Sequence, residues 1–221
     1  ISITKESVTI DPDKSEAFNF IISVPADAEA GGHYAGILFS TDPAAIGGTG
    51  AALESKVGSL VLVRIAGDIK ESASIKSFKS DKDSYDNANK INFDVNIENT
   101  GNVHVQPKGV VTVKNIFGGK VASVDVNSLS ANVLPGSTRV FNSTWTDPGF
   151  KLGFYTATVT LNYGNPSQAI SAQTSFWIIP WMTLLLILIA IIITLVVLYF
   201  AIKKYNSWIV ARATKKSPDS Q

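Results

Sequence analysis

INFDVNIE, residues 91–98, decides how the chain folds. Ile91, Phe93, Val95 and Ile97 alternate strictly with Asn92, Asp94, Asn96 and Glu98. Side chains of a strand point to opposite faces with a period of two, so this stretch buries one face and wets the other. That is the signature of an antiparallel sheet with one covered side.

Working outward, the neighbouring segments repeat the pattern. Before it, residues 73–79 read as a strand and residues 81–90, DKDSYDNANK, as a polar turn. After it, Asn99-Thr100-Gly101-Asn102 turns the chain, and residues 103–106 begin a strand that Pro107-Lys108-Gly109 interrupts. Residues 109–117 and 120–126 flank Gly118-Gly119, a two-residue hairpin signature. Leu134-Pro135-Gly136-Ser137 leads into a strand over 138–145, and Asp147-Pro148-Gly149 turns again. Residues 153–163 alternate through Tyr155, Ala157, Val159 and Leu161, and residues 168–177 form the last strand. Strands spaced about 8–12 residues apart are the pattern of an immunoglobulin-like sandwich, here over residues 72–177. Tyr155 suits either core packing or a bond of the tyrosine-corner kind.

Residues 1–68 are also β in character, but they supply only part of a sandwich. Alternation at Ile1-Ser2-Ile3 and Val8-Thr9-Ile10, then at Phe18, Phe20 and Ile22, gives two short strands. HYAGILFS (33–40) and VGSLVLVRIA (57–66) give two longer ones, separated by a Gly/Ala loop at 42–55. Four strands fall short of the roughly seven of a whole sandwich. Either strands upstream of Ile1 complete it, or a partner chain adds one. Ile1 is not a start methionine, so we expect a longer gene product with an export signal upstream.

Beyond the last strand comes WMTLLLILIAIIITLVVLYFAI, residues 181–202, with no charge among its 22 residues. As a helix it rises roughly 33 Å, enough for a hydrocarbon core of about 30 Å. Fifteen of the 22 are Leu, Ile, Val or Phe, so its insertion into a bilayer is favourable by several kcal/mol. A transmembrane helix over 178–202 follows, leaving a basic tail at 203–221. Trp177, Trp181, Tyr199, Lys203 and Lys204 fall where interface anchors belong. Residues 161–175 hold no Lys or Arg, while the tail holds five. The positive-inside rule then places the tail in the cytoplasm and the β part outside.

Charge and composition narrow the function. Of 19 Lys and Arg, five lie after residue 202 with one of the 18 acidic residues, which leaves 14 against 17 in the outer part. A slightly acidic ectodomain argues against nucleic acid as a partner. The absence of cysteine favours a bacterial or archaeal surface over a disulfide-rich eukaryotic one. No nucleophile elbow, phosphate loop, HExxH or cysteine cluster occurs, so no enzyme activity and no cofactor are expected. His33 and His104 read as lone strand histidines in different domains. Asp81, Asp83 and Asp86 lack the glycine and terminal glutamate of a calcium loop and read as a solvated turn.

The stretch Val24-Pro25-Ala26-Asp27-Ala28-Glu29-Ala30-Gly31-Gly32-His33-Tyr34-Ala35-Gly36-Ile37-Leu38-Phe39 resembles the end of the first domain of WxL-interacting proteins of bacterial, chiefly Gram-positive, surfaces. The Asn99–Asn102 turn, the Leu134–Ser137 turn, Gly153–Tyr155, one helix and a basic tail follow the same order. No W-x-L tripeptide occurs, so the resemblance is to the partner of the W-x-L protein. It implies tandem immunoglobulin-like domains, the first associated with peptidoglycan and the second with host or matrix ligands. The expected protein is therefore all-β with one C-terminal transmembrane helix. It is anchored in the cell membrane, and it binds or scaffolds other surface proteins, cell-wall polymer or a host ligand. A subunit of a larger pilus, secretion or S-layer-like assembly is the alternative.

Overall fold

The computed structural model describes residues 1–41, 55–87, 89–147 and 149–214. Most of the Gly/Ala loop and the last residues of the tail lie outside them. The chain is mostly β-sheet, in several sheets that fit a β-sandwich, with one apolar helix at the C-terminal end. Two compact units form. One gathers residues 1–74 with 98–106 and 132–138, and the other gathers 75–97, 107–131 and 139–221.

The second unit holds most of two sheets. Strands β5 (Ala73–Ser80), β7 (Ile91–Asn99) and β10 (Thr138–Trp145) form one, in the order β10-β7-β5. Strands β6 (Ser84–Tyr85), β8 (Lys108–Asn115), β9 (Lys120–Val126), β11 (Gly153–Tyr163) and β12 (Gln168–Ile178) form the other, in the order β6-β12-β11-β8-β9. The alternation in 91–98 does what its period requires: Ile91, Phe93, Val95 and Ile97 are wholly buried. Val111, Val113, Ala157, Val159 and Leu161, the apolar set of β8 and β11, are wholly buried as well. At one end the core is aromatic and centres on Phe176. Its ring lies 5.6 Å from Tyr85, 5.8 Å from Phe93 and 5.9 Å from Tyr155 between centroids. Tyr155 is thus core packing, stacked on Phe176.

The polar turn at 81–90 is more structured than its composition suggests. Ser84 and Tyr85 form β6, parallel to β12 opposite Trp177 and Ile178. Backbone N–H groups of Trp177 and Ile179 donate to the carbonyls of Asp83 and Tyr85. The Tyr85 hydroxyl donates to Asp81 Oδ1 at 2.5 Å, and the Asn92 backbone and side-chain N–H groups donate to the same carboxylate at 3.0 and 3.2 Å. Asp81 is therefore occupied in holding β6 and β7. Partial burial pushes its carboxyl up, but the bonds from Tyr85 and Asn92 outweigh burial and hold it below the usual range. A carboxyl depressed in the fold stabilises above its unfolded value of about 3.9, and that contribution disappears as pH falls through the lower folded value. We expect Asp81→Asn to cost roughly 1 kcal/mol near neutral pH after allowing for solvent screening. Thermal melts of the detergent-solubilised chain should show the gap between variant and parent closing as the pH falls below the ordinary carboxylate range.

The first unit has less sheet. β1 (Ser2–Ile3) pairs with β2 (Phe20–Ile21), and β3 (Gly31–Ser40) pairs with β4 (Lys56–Ile65) over ten residues. Segments 98–106 and 132–138 belong to it as well, tied to each other by Asn99, which is fully buried. Asn99 Nδ2 donates to the carbonyls of Val103 and Val133, both at 2.8 Å, and Oδ1 accepts from Gly101 N–H at 2.9 Å. A buried amide with every bond made is tolerated, whereas an orphaned one costs about 1–3 kcal/mol. Gly101 is required there, because a Cβ would sit 2.2 Å from the Lys70 carbonyl oxygen. Residues 103–106 make only an isolated bridge, Val105 to Val133, and not the strand expected from their sequence.

Strand β12 continues to Ile178, and helix α1 runs Trp181–Thr214. The helix thus starts three residues later than expected and extends twelve residues past Ile202. Lys203 and Lys204 change the polarity without breaking the helix, since lysine is a good helix former and no Gly or Pro follows until Pro218. Trp181–Val210 is long and apolar enough to cross a membrane.

Candidate functional site

The antiparallel register of β3 and β4 sorts their side chains. Opposed residues share a face, so Ala35 and Val61 lie on one side with His33 and Val63. Tyr34 and Leu62 lie on the other with Leu38 and Leu60. Both faces are apolar, the composition of a strand pair meant to be covered on both sides.

On the first face, Ala35, Val61 and Val63 line an apolar groove of about 380 Å³ with Ile22, Val24 and Pro25. Phe18 packs edge-on against Phe39 at 5.0 Å beside it. The second face is open: Leu38 is 71% and Leu60 57% exposed. Among the described residues β3 and β4 have no strand partner but each other, so each presents an edge without a neighbouring strand, although Gly32 on β3 bonds Asn102. A free edge beside exposed apolar side chains is a template for strand addition.

One end of this pair is fixed by a polar cluster. Gly31 adopts φ +131°, and Gly32 N–H donates to the Asn102 carbonyl at 2.8 Å. A Cβ on Gly32 would collide with the Tyr34 hydroxyl, so the glycine leaves room for the phenol to lie along the strand. That hydroxyl shares a 3.3 Å hydrogen bond with His104 Nδ1. Arg64 pairs with Glu71 at 2.6 Å, and the Glu71 side chain is nearly buried. Burial pushes the Tyr34 phenol up, and burial with the nearby Arg64 charge pulls His104 down. Both shifts favour neutral rings at pH 7, so the pair acts as a neutral structural bond. Asn102 adds bonds from its side-chain N–H to the Asp68 carbonyl and from Lys70 N–H to its Oδ1, each 2.8 Å.

The glycine-rich stretch at 31–36 and the turn at 99–102, far apart in sequence, therefore meet in one unit. His33 lies on β3, with its Nε2–H donating to the Glu29 carbonyl at 2.8 Å. His104 lies outside any strand and in the same unit as His33, which corrects the expectation of two strand histidines in separate domains. The cause is the 99–102 turn: Asn102 bonds Gly32 of β3, Asp68 and Lys70, and Thr100 N–H donates to the Ser72 carbonyl, which holds residues 98–106 against this unit.

Of the residues expected as membrane anchors, Trp177 is next to last in β12, half-exposed, with its ring 5.1 Å from Phe154. Trp181 opens the helix, and Tyr199, Lys203 and Lys204 lie exposed along it. A second group follows that composition alone does not mark: Tyr205 stacks on Trp208 at 6.2 Å, and the Arg212 guanidinium lies 3.8 Å from the Trp208 ring centroid. The helical spacings i, i+3 and i, i+4 would have revealed it.

No family model matches the chain, and no curated protein does. Two solved structures share part of its shape. A cycloisomaltooligosaccharide glucanotransferase of Paenibacillus sp., complexed with cycloisomaltoheptaose, is 17% identical over 50% of this chain and 14% of its own length, with a TM-score of 0.41. The sporulation control protein Spo0M of Bacillus subtilis is 17% identical over 48% of this chain and 49% of its own length, with a TM-score of 0.36. Likeness at that level establishes neither activity nor partner.

Proposed function

We propose that this is a non-enzymatic, single-pass membrane protein whose β ectodomain binds or scaffolds other components of a cell envelope. The observation that carries the reading is the direct passage from β12 into a membrane-length helix, with only Ile179 and Pro180 between them. A β unit tied so closely to a helix of that kind works at a membrane surface. The charge asymmetry across the helix supports an outside N-terminal part and a cytoplasmic C-terminal end. The strand order β10-β7-β5 facing β6-β12-β11-β8-β9 supports an immunoglobulin-like reading of the second unit. The resemblance to WxL-interacting proteins supports a bacterial surface, with wall polymer or another surface protein as partner.

The free edges and exposed Leu38 and Leu60 of β3 and β4 are the binding surface in this reading. An extended segment of another surface protein would pair with an edge and seat alternate apolar side chains on the open face. Photo-crosslinking residues placed at Leu38 and Leu60 in intact cells, with Leu129 as control, test it. Adducts to surface proteins or wall polymer from positions 38 and 60 alone are expected. Stoichiometric recovery of several integral membrane proteins, with no adduct from 38 or 60, would make the protein a subunit of a membrane complex. The helix offers one feature for that second reading: Ala190 and Thr194 open a shallow groove beside Ile187 and Ile191.

A further inference from the structure

We propose that the end of the second unit from which the helix emerges is itself a lipid-contacting surface, seated in the headgroup layer through Phe117 and Phe150. The inference rests on the membrane-spanning reading of the helix and concerns what the sandwich does beside it.

Strand register locates the surface. Gly153 pairs with Ile178, the last residue of β12, and Tyr155 pairs with Asn115, the last residue of β8. The β8–β9 turn at 116–119 and residues 149–152 therefore lie at the sheet end that leads into the helix. Outside the helix, the exposed large apolar side chains of this unit concentrate there: Ile116, Phe117, Phe150, Leu152 and Trp177. The others, Val140 and Leu129, lie near the start of β10 and at the opposite end of β9. Soluble domains seldom expose several large apolar side chains together, and such a cluster marks a contact surface.

The contact is a bilayer because of what adjoins the cluster. Phe150 and Lys151 line a groove of about 630 Å³ together with Pro180, Trp181 and Met182, so the loop lies beside the first helical turn. Three residues from Ile178 to Trp181 reach at most about 10 Å, comparable to the headgroup layer on one side of a bilayer. Exposed Lys90, Lys114 and Lys120 flank these loops, and Lys151 pairs with Asp147 at 3.0 Å; Asp81, bonded to Tyr85 and Asn92, and Asp83 and Asp86 are the acidic groups of the neighbouring 81–87 segment. Apolar rings with lysines around them are the composition of an interfacial contact with phosphate headgroups.

The chain has no cysteine, so single labels can be placed at will. Phe117→Cys, Phe150→Cys, Leu129→Cys and Leu195→Cys would each carry an environment-sensitive fluorophore on the full chain. The chain would be reconstituted in zwitterionic phospholipid vesicles with a minority of anionic lipid. Nitroxide on the headgroup or deep on the acyl chain would serve as quencher. Phe117 is 92% and Leu129 93% exposed, so the two turns differ in position and hardly in exposure. Labels at 117 and 150 should shift to the blue and be quenched by headgroup nitroxide severalfold more than the label at 129, with 195 quenched by the deep probe. Deep quenching at 195 with 117 and 150 indistinguishable from 129 overturns this proposal and leaves the membrane-spanning reading intact. No quenching at 195 removes both.

Discussion

Phe176→Ala should be among the most damaging single substitutions in the second unit. The ring is 1% exposed and meets Tyr85, Phe93, Trp145 and Tyr155 at centroid distances of 5.6, 5.8, 6.5 and 5.9 Å. Its removal forfeits the transfer energy of a buried ring and leaves a cavity that four other aromatics on different strands cannot close together. Such truncations cost about 3–5 kcal/mol. Against a total stability of roughly 5–15 kcal/mol, that is a large share. For a unit of about 100 residues the expected fall in Tm is roughly 15–25 °C. Phe117→Ala is the control: its ring is almost fully exposed, so the change should stay within about 0.5 kcal/mol. Near-UV circular dichroism melts of both variants in detergent decide the matter. Equal losses would show that Phe176 is not the centre of the core.

The second large effect concerns the helix. Ile192 and Val196 lie near the middle of Trp181–Val210, one turn apart on one face. Arginine at the centre of a membrane helix costs about 2.5–3.5 kcal/mol, so Ile192→Arg with Val196→Arg costs about 5–7 kcal/mol together. That matches or exceeds the several kcal/mol the apolar residues supply. The double variant should move from the alkali-resistant membrane pellet to the soluble or aggregated fraction, while Ile192→Leu with Val196→Leu stays in the pellet. Retention of the double arginine variant in the pellet after alkaline extraction would argue against a lipid-spanning helix.

Much of the fold is legible in the chain because its signals are local. The burial of Ile91, Phe93, Val95 and Ile97 follows from a period-two pattern carried by eight consecutive residues. The turn at Leu134–Ser137 follows from residues that fit turn geometry and little else, whereas Gly118-Gly119 marks a turn but not the two-residue hairpin expected: β8 ends at Asn115 and β9 begins at Lys120, so residues 116–119 connect them. The helix follows from transfer energy summed over 22 residues. Its end was less legible, because lysine marks a membrane boundary without ending a helix, so α1 continues to Thr214.

What the chain hides depends on partners distant in sequence. Asn99 reads as a turn residue, and its local chemistry is the same whether it is exposed or buried. Only the placement of Val133, 34 residues away, turns its amide into the bond that ties residues 98–106 to 132–138. Ser84 and Tyr85 sit in a run of polar residues, and pairing with Trp177 and Ile178 alone makes them a strand. Tyr34 and His104 lie 70 residues apart and meet through the same docking of the 99–102 turn. Phe117 and Phe150 likewise belong to separate hairpins, and the register of β8, β11 and β12 brings them to one sheet end. The sequence by itself determined the β strands, the turns and the membrane-length helix, because side-chain period, turn chemistry and hydrophobic transfer act over a few neighbouring residues. Tertiary structure alone decided which polar groups are buried and which apolar ones stand exposed together, because both depend on strand order and register.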